Sequence, residues 1–243
     1  LPRPPPRPLP PRRLASATTT SSAAPADPLR HATPKQAEII RFWYRRAFDD
    51  GFSPAAVGEA MKLWYGVGMS RAEQAALDEE IRARFGADVE AVKVLAGEWG
   101  KTWEGVTALC VLGDQFSRNV YRGSAEAFGC DVVVLDVVLK ALDKGMEKGL
   151  HYMVQSAWYL PLMHSEDLGL HERALRFHEE VVATEGLDGL VKGMAAQSVK
   201  FELEHKEMIE RFGRYPYRNK VLGRDSTPEE LEYLAKGGNS FGQ

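Results

Sequence analysis

Little in this chain supports the commonest kinds of site chemistry. Cysteine occurs twice in 243 residues, at Cys110 and Cys130, each inside an apolar stretch. Neither CxxC nor Cys/His spacing occurs, which excludes a zinc knuckle or a dithiol redox motif. Both cysteines read as small buried hydrophobes of a protein kept reduced. No apolar run approaches the roughly 20 residues needed to span a bilayer; the longest, Val132–Leu139, is interrupted by Asp136. Alternating strand patterns are nearly absent. Basic charge is scarce beyond the first thirty residues, where 26 Lys and Arg face 33 Asp and Glu, a formal charge near −7. That balance argues against a nucleic-acid surface, whose main affinity term is phosphate neutralisation by Lys and Arg.

Several short patterns fail for want of context. Gly100-Lys101-Thr102 lacks the earlier glycine and the strand of a phosphate loop. Gly238-Asn239-Ser240-Phe241-Gly242 spells a nucleophile elbow, but no strand precedes it and no helix follows. His171 and His178 share a helix face yet stand roughly 10 Å apart along the axis, too far for one metal. His171-Glu172 does not open a zincin motif, because Leu175 stands where the second histidine belongs. No metal and no cofactor is expected.

What is present begins with a leader. Leu1–Ala26 is rich in Pro and then in Ser, Thr and Ala, with scattered arginines and no acid. Residues 1–33 therefore read as disordered and as an organellar targeting segment, for the mitochondrion before the plastid, with the cytoplasm as the alternative. Residues 34–243 read as a single α-helical domain.

Its helices carry recognisable start signals. Thr33-Pro34 and Ser53-Pro54 are N-caps followed by proline at the first helical position. Ser70 with Glu73, and Thr227 with Glu230, are capping boxes. The pattern predicts helices to about Phe48, from Pro54 to Tyr65, and from Ser70 to a stop at Gly86. Others run over Val89–Trp99, from Trp103 to Phe116, and from Ser124 through Leu142. Four more cover Tyr152–Met163, Leu168–Ala183, Leu190–Phe212 and a stretch after Thr227. The Val132–Leu142 portion is apolar around most of its circumference, which places it at the centre. The aromatics at 43, 44, 64, 65, 99, 103, 158 and 159 fall at helical spacing and read as core. The expected fold is all-α, about ten helices in antiparallel pairs.

Polar residues concentrate between apolar helices in three places. Leu112–Asp131 carries Asp114, Gln115, Arg118, Asn119 and Arg122 in what reads as a short connection. His164, Glu166 and Asp167 form a turn, and His205, Arg214, Arg218 and Asn219 form a third group. Brought together, arginine forks beside His and carboxylates would grip an anionic ligand, because planar guanidinium matches carboxylate or phosphate bidentately. A histidine beside a carboxylate also suits acid–base work near neutral pH, with His164 and His205 as the candidates. The plain structural alternative is that these groups satisfy one another and the helix ends. Arg118-Asn119 echoes Arg218-Asn219, which suggests opposite walls of one cleft.

Several stretches carry a family resemblance: Trp64-Tyr65-Gly66, Ile81 with Phe85-Gly86, the run Asp114–Gly123, Ala127-Phe128 and Asp131. Tyr159–Asp167, His205, Ile209, Arg211–Asn219, Leu222-Gly223-Arg224 and Ser226–Glu230 continue it in order, over about residues 36–241. In these the chain resembles the family known as domain of unknown function 924. The resemblance implies a tetratricopeptide-like, right-handed stacked array of helices, and it brings no established activity. Ser117 stands where members usually have Pro, which is expected to loosen the connection before Arg118. Tyr217 stands where they often have His, which removes a titratable group.

Three functional readings follow. One is a binder of a small anion or acidic peptide in an Arg/His-lined cleft, at Asp114, Gln115, Arg118, Asn119, Arg122, His164, Glu166, Asp167, Arg214, Arg218 and Asn219. The second is an enzyme acting on a small anionic substrate with a histidine base. The third is a scaffolding subunit whose polar motifs are structural throughout.

Overall fold

The computed structural model describes residues 27–66 and 68–239. The targeting expectation for the leader falls almost wholly outside them. Every regular element among the described residues is helical. The first four helices are α1 (Pro34–Tyr44), α2 (Pro54–Tyr65), α3 (Arg71–Glu90) and α4 (Val92–Trp99). Next, α5 (Trp103–Cys110) runs into a π-helical turn at Val111–Phe116 and a single turn α6 (Ser117–Val120). After a 3₁₀ turn at Ala125–Phe128 come α7 (Asp131–Asp143), α8 (Tyr152–Met163), α9 (Leu168–Ala183) and α10 (Gly189–Phe212). A second 3₁₀ turn, Pro216–Arg218, leads to α11 (Pro228–Ala235).

The start signals act as their chemistry dictates. Thr33, Ser70 and Thr227 each accept from the backbone three residues on, while Gln36, Glu73 and Glu230 reach back to the cap. These six bonds satisfy donors that a bare helix start leaves orphaned. Gly213 ends α10 in the left-handed region at φ 70°, where only glycine is unstrained.

The main core is aromatic. Phe42, Phe85 and Phe116 form a triangle with centroids 5.1, 5.6 and 5.0 Å apart. Trp43 stacks on Trp64 at 5.5 Å. Buried polar tips find partners: Trp158 Nε1 donates to Thr107 Oγ1 at 2.9 Å and Tyr44 Oη to the Met153 carbonyl at 3.2 Å. A small second core, Met208, Ile209 and Tyr215, lies at the C-terminal end.

Four expectations need correction. α1 stops at Tyr44 rather than Phe48, because Arg45 turns to φ 52°. Gly86 lies within α3 rather than ending it, since helical glycine costs only about 1 kcal/mol and Phe85 and Val89 are both buried. Ser124 does not start the long apolar helix; the 3₁₀ turn intervenes and α7 begins at Asp131. Nor is α7 central: Val132 is 80% exposed and only Val134, Val137, Val138, Ala141 and Leu142 are buried. The enclosed helix is α5, buried from Glu104 through Cys110 and packed against α1, α4, α7 and α8. Gly113 lets α7 come close: a Cβ there would meet Val134 Cγ2 at 2.5 Å.

Candidate functional site

Of the polar residues of the 112–122 stretch, only Arg122 lies in a connection. The helix begun by α5 continues through the π turn into α6, carrying Asp114 and Gln115 in the π turn and Arg118 and Asn119 one turn later. A π turn widens the helix by one residue and is frequent at functional sites. Here it holds Asp114 1% exposed. Ser117 does not loosen this stretch: its buried Oγ lies 2.8 Å from the Gly113 carbonyl and 3.0 Å from that of Ala127.

Three segments remote in sequence meet at this turn. His164, the residue after α8, places Nδ1 2.7 Å from Asp114 Oδ1. Arg118 donates to both oxygens of Asp131 at 3.0 Å, to the Ala127 carbonyl at 3.0 Å, and to Asp114 at 3.4 Å. Arg218 Nη1 donates to the His164 carbonyl at 3.0 Å and stands 3.8 Å from Asp131 Oδ2. Both guanidinium groups lie over Phe128, at 5.2 and 4.7 Å from the ring centre, and Arg218 also over Tyr215 at 4.4 Å. His205 enters from α10, its ring 6.2 Å from that of His164.

The other predicted residues are drawn elsewhere. Asn119 and Arg122 both bind Asp78 of α3. Arg214 and Asn219 both bind Glu230, closing α11 onto the loop after α10. Glu166 takes a bidentate grip from Arg224 and the Tyr215 N–H. Asp167 caps α9 through Gly169 N at 2.7 Å. Gln115 donates to Asp114. The two Arg-Asn pairs are therefore not opposite walls of a cleft. Their arginines share Asp131 and Phe128, while their asparagines point to different neighbours.

Electrostatics divides the roles. Burial alone would raise the Asp114 carboxyl, but His164 and Arg118 outweigh it and hold it down to about 2. An ionised carboxylate only accepts, so His164 carries its proton on Nδ1 and leaves Nε2 as the basic atom. His164 is 16% exposed at its side chain, and no hydrogen bond joins Nε2 to the described residues. His205 is different: Nδ1 donates to the Phe201 carbonyl at 2.7 Å. Burial, reinforced by neighbouring His164, pushes it down to about 3, so it stays neutral.

Charge within the cluster cancels, Arg118 and Arg218 against Asp114 and Asp131. Its partly exposed side chains are Gln115, Phe128, Asp131, His164 and Tyr217, none of them a permanent cation. The arginines lie behind this rim, 6% and 5% exposed. Among the described residues, no three His, Cys, Asp or Glu side chains are arranged to hold a metal ion. His171 and His178 instead pair with Glu202 and Tyr152.

The polar pattern alone did not single out Asp131, Phe128 and Tyr217 as parts of the site. In the sequence these three stand out only within the stretches that carry the family resemblance. His171 drew notice only as a rejected metal ligand and Glu202 none, because partners 31 residues apart on two helices leave no local pattern.

Comparison with known proteins gives relatives described as of unknown function. The family described as "Bacterial protein of unknown function (DUF924)" matches residues 39–238. The chain is also similar to a solved protein of unknown function, ATU0120 from Agrobacterium tumefaciens. Identity is 28% and the TM-score 0.60, over 83% of this chain and 97% of that one. None of the curated proteins matches.

Proposed function

This chain belongs to the DUF924 family, whose description names no activity, and from that premise we propose a function built on its own side chains. His164 is the acid–base group of a small-molecule site. Asp114 holds its tautomer, and Gln115, Phe128, Asp131 and Tyr217 form the rim. The observation that carries this reading is the 2.7 Å Asp114–His164 bond beside a Nε2 without a partner among the described residues. That is the arrangement in which a carboxylate orients an imidazole to take a proton from a bound molecule. The rim offers an aromatic face, and its carboxylate, Asp131, is already engaged by Arg118, so the favoured ligand is uncharged and bears an exchangeable proton. An anion would find Arg118 and Arg218 already neutralised.

A thermal-shift screen of a metabolite library, run on wild type and His164→Ala, tests this. Neutral compounds that raise the melting temperature of wild type alone are the expected result. Hits confined to anions, and lost in Arg118→Lys, would restore the anion-binding reading. Silence across the library would favour a scaffolding subunit, a reading supported by Arg118, Arg122 and Arg214, each engaged with an internal acid.

Two further parts of the proposal rest on less. The packing of α8, α9 and α10 in succession supports the tetratricopeptide-like pairing. The acid-free, Ser- and Arg-containing composition of residues 1–26 supports mitochondrial targeting. A reporter fused to residues 1–33 that stayed in the cytosol would remove the latter.

A further inference from the structure

The last carbonyls of a helix have no intrahelical partner and are usually left to water or a cap. At the end of α8 three consecutive ones are each taken by a separate side chain. Tyr215 Oη donates to the Met163 carbonyl, Arg218 Nη1 to that of His164 at 3.0 Å, and His171 Nε2 to that of Ser165 at 2.9 Å. The next residue is held too, by its side chain: Glu166 accepts from the Tyr215 N–H at 2.9 Å and from Arg224. Both sides of His164, and its own backbone, are thus pinned from α9 and from the loop after α10.

The His171 contact depends on a deeper partner. A carbonyl accepts only, so Nε2 must carry the proton. Nδ1 meets Glu202 Oε1 at 2.5 Å, with both side chains 0% exposed. If Glu202 is ionised, Nδ1 donates; if Glu202 is protonated, Nδ1 accepts. Nε2–H faces Ser165 in either state, so the pair keeps that donor in place whichever group holds the shared proton.

We propose that Tyr215, Arg218 and the His171–Glu202 pair are positioning residues for His164. They fix the turn at 163–166 so that Nδ1 stays against Asp114 and Nε2 stays available at the rim. This deepens the acid–base reading given above and rests on it for its purpose, but not for its test. None of these residues needs to touch a ligand. Tyr215 and His171 are completely buried, and Arg218 reaches His164 through the backbone.

The test reads the imidazole of the free protein. Long-range nitrogen–proton NMR of ¹⁵N-histidine-labelled wild type should show His164 protonated at Nδ1 and bare at Nε2. Tyr215→Phe removes one donor and keeps the ring. Glu202→Leu removes the partner of His171 Nδ1 altogether, where a glutamine would still donate to it, and Arg218→Lys keeps charge while losing the fork. In each variant that keeps the wild-type circular dichroism, the Nδ1–H preference of His164 should fall about fivefold, the worth of one ordinary hydrogen bond. Carbethoxylation of His164 by diethyl pyrocarbonate should change in step. Arg218→Lys should fall between wild type and Arg218→Ala. A His164 signal unmoved in all three variants, yet altered in Asp114→Asn, would overturn the proposal while leaving the ligand question as it stood. An Nδ1–H preference that falls while the ligand screen stays silent would uphold the positioning and count against the acid–base function alone.

Discussion

The two ends of this molecule are held together by different physics. Around α1, α2, α3 and the π turn the contacts are ring on ring: Phe42, Phe85 and Phe116, with Trp43 on Trp64. Around the C-terminal end of α10 and the following loop the apolar core shrinks to Met208, Ile209 and Tyr215. Fixed pairs replace it: Glu202 with His171, Glu166 with Arg224, Glu230 with Arg214 and Asn219. Burial of apolar area is non-directional and tolerates a change of shape. A paired buried charge does not, since removing one member strands the other. The candidate site sits at the seam, with Asp114 supplied from the aromatic side and His164 and Arg218 from the paired side.

The sharpest way to break this comparison is at the seam. Arg118→Ala leaves Asp131 without its bidentate partner and Asp114 buried beside a cavity. A loss of about 3–5 kcal/mol is expected, read by urea unfolding. Arg118→Lys, with its charge retained, should lose less. If Arg118→Ala costs no more than a conservative change in the aromatic triangle, the two ends do not differ as described. Acid is the next lever. Burial pushes His178 down to about 4 and His205 down to about 3, both below the usual value near 6.5. The folded form therefore favours the neutral ring. This stability is complete above pH 6.5 and is lost as pH falls towards the folded values, while the unfolded chain takes up protons. Each histidine should cost about 1.4 kcal/mol per pH unit below that point. The pair His178→Phe and His205→Phe should flatten the slope between pH 6.5 and 5; an unchanged slope would place the protons elsewhere. Smaller still is Phe116→Leu on the aromatic side, about 1.5 kcal/mol and independent of pH over the same range.

How far the sequence reaches follows the same division. Helices α2, α8, α9 and α10 were legible within a residue, because their apolar spacing and cap residues are local and strong. The error at Gly86 arose because a tertiary contact overrides a weak local preference. The error at α7 arose because an all-round apolar sequence does not say how many neighbours the helix has. The convergence of Asp114, His164 and Arg218 was legible as an expectation from polar density between apolar helices. Their partners were not: Asp131, Glu202 and Asp78 are ordinary acids on helix faces, and only the fold decides which arginine or histidine each one meets. Hence the sequence suggested an arginine-lined anion site, while the geometry leaves those arginines engaged and one histidine nitrogen available.

The smallest expected effect discriminates finely between the two ends, because each has a helix start built in the same way. Thr33 and Thr227 both accept from the third helical N–H at 3.3 and 3.2 Å, so Thr33→Ala and Thr227→Ala should each cost about 1 kcal/mol. They differ in what the reciprocal side chain does next. Among the described residues Gln36 serves only its own cap, whereas Glu230 also accepts from Arg214 and Asn219. Removing Thr227 should therefore weaken the grip on Arg214. A double-mutant cycle of Thr227→Ala with Arg214→Ala should show a coupling of about 0.5–1 kcal/mol. The matching cycle of Thr33→Ala with Arg41→Ala should be additive. Equal couplings at both starts would mean that the pairs around Glu230 act independently, and the paired end would then be a set of separate contacts.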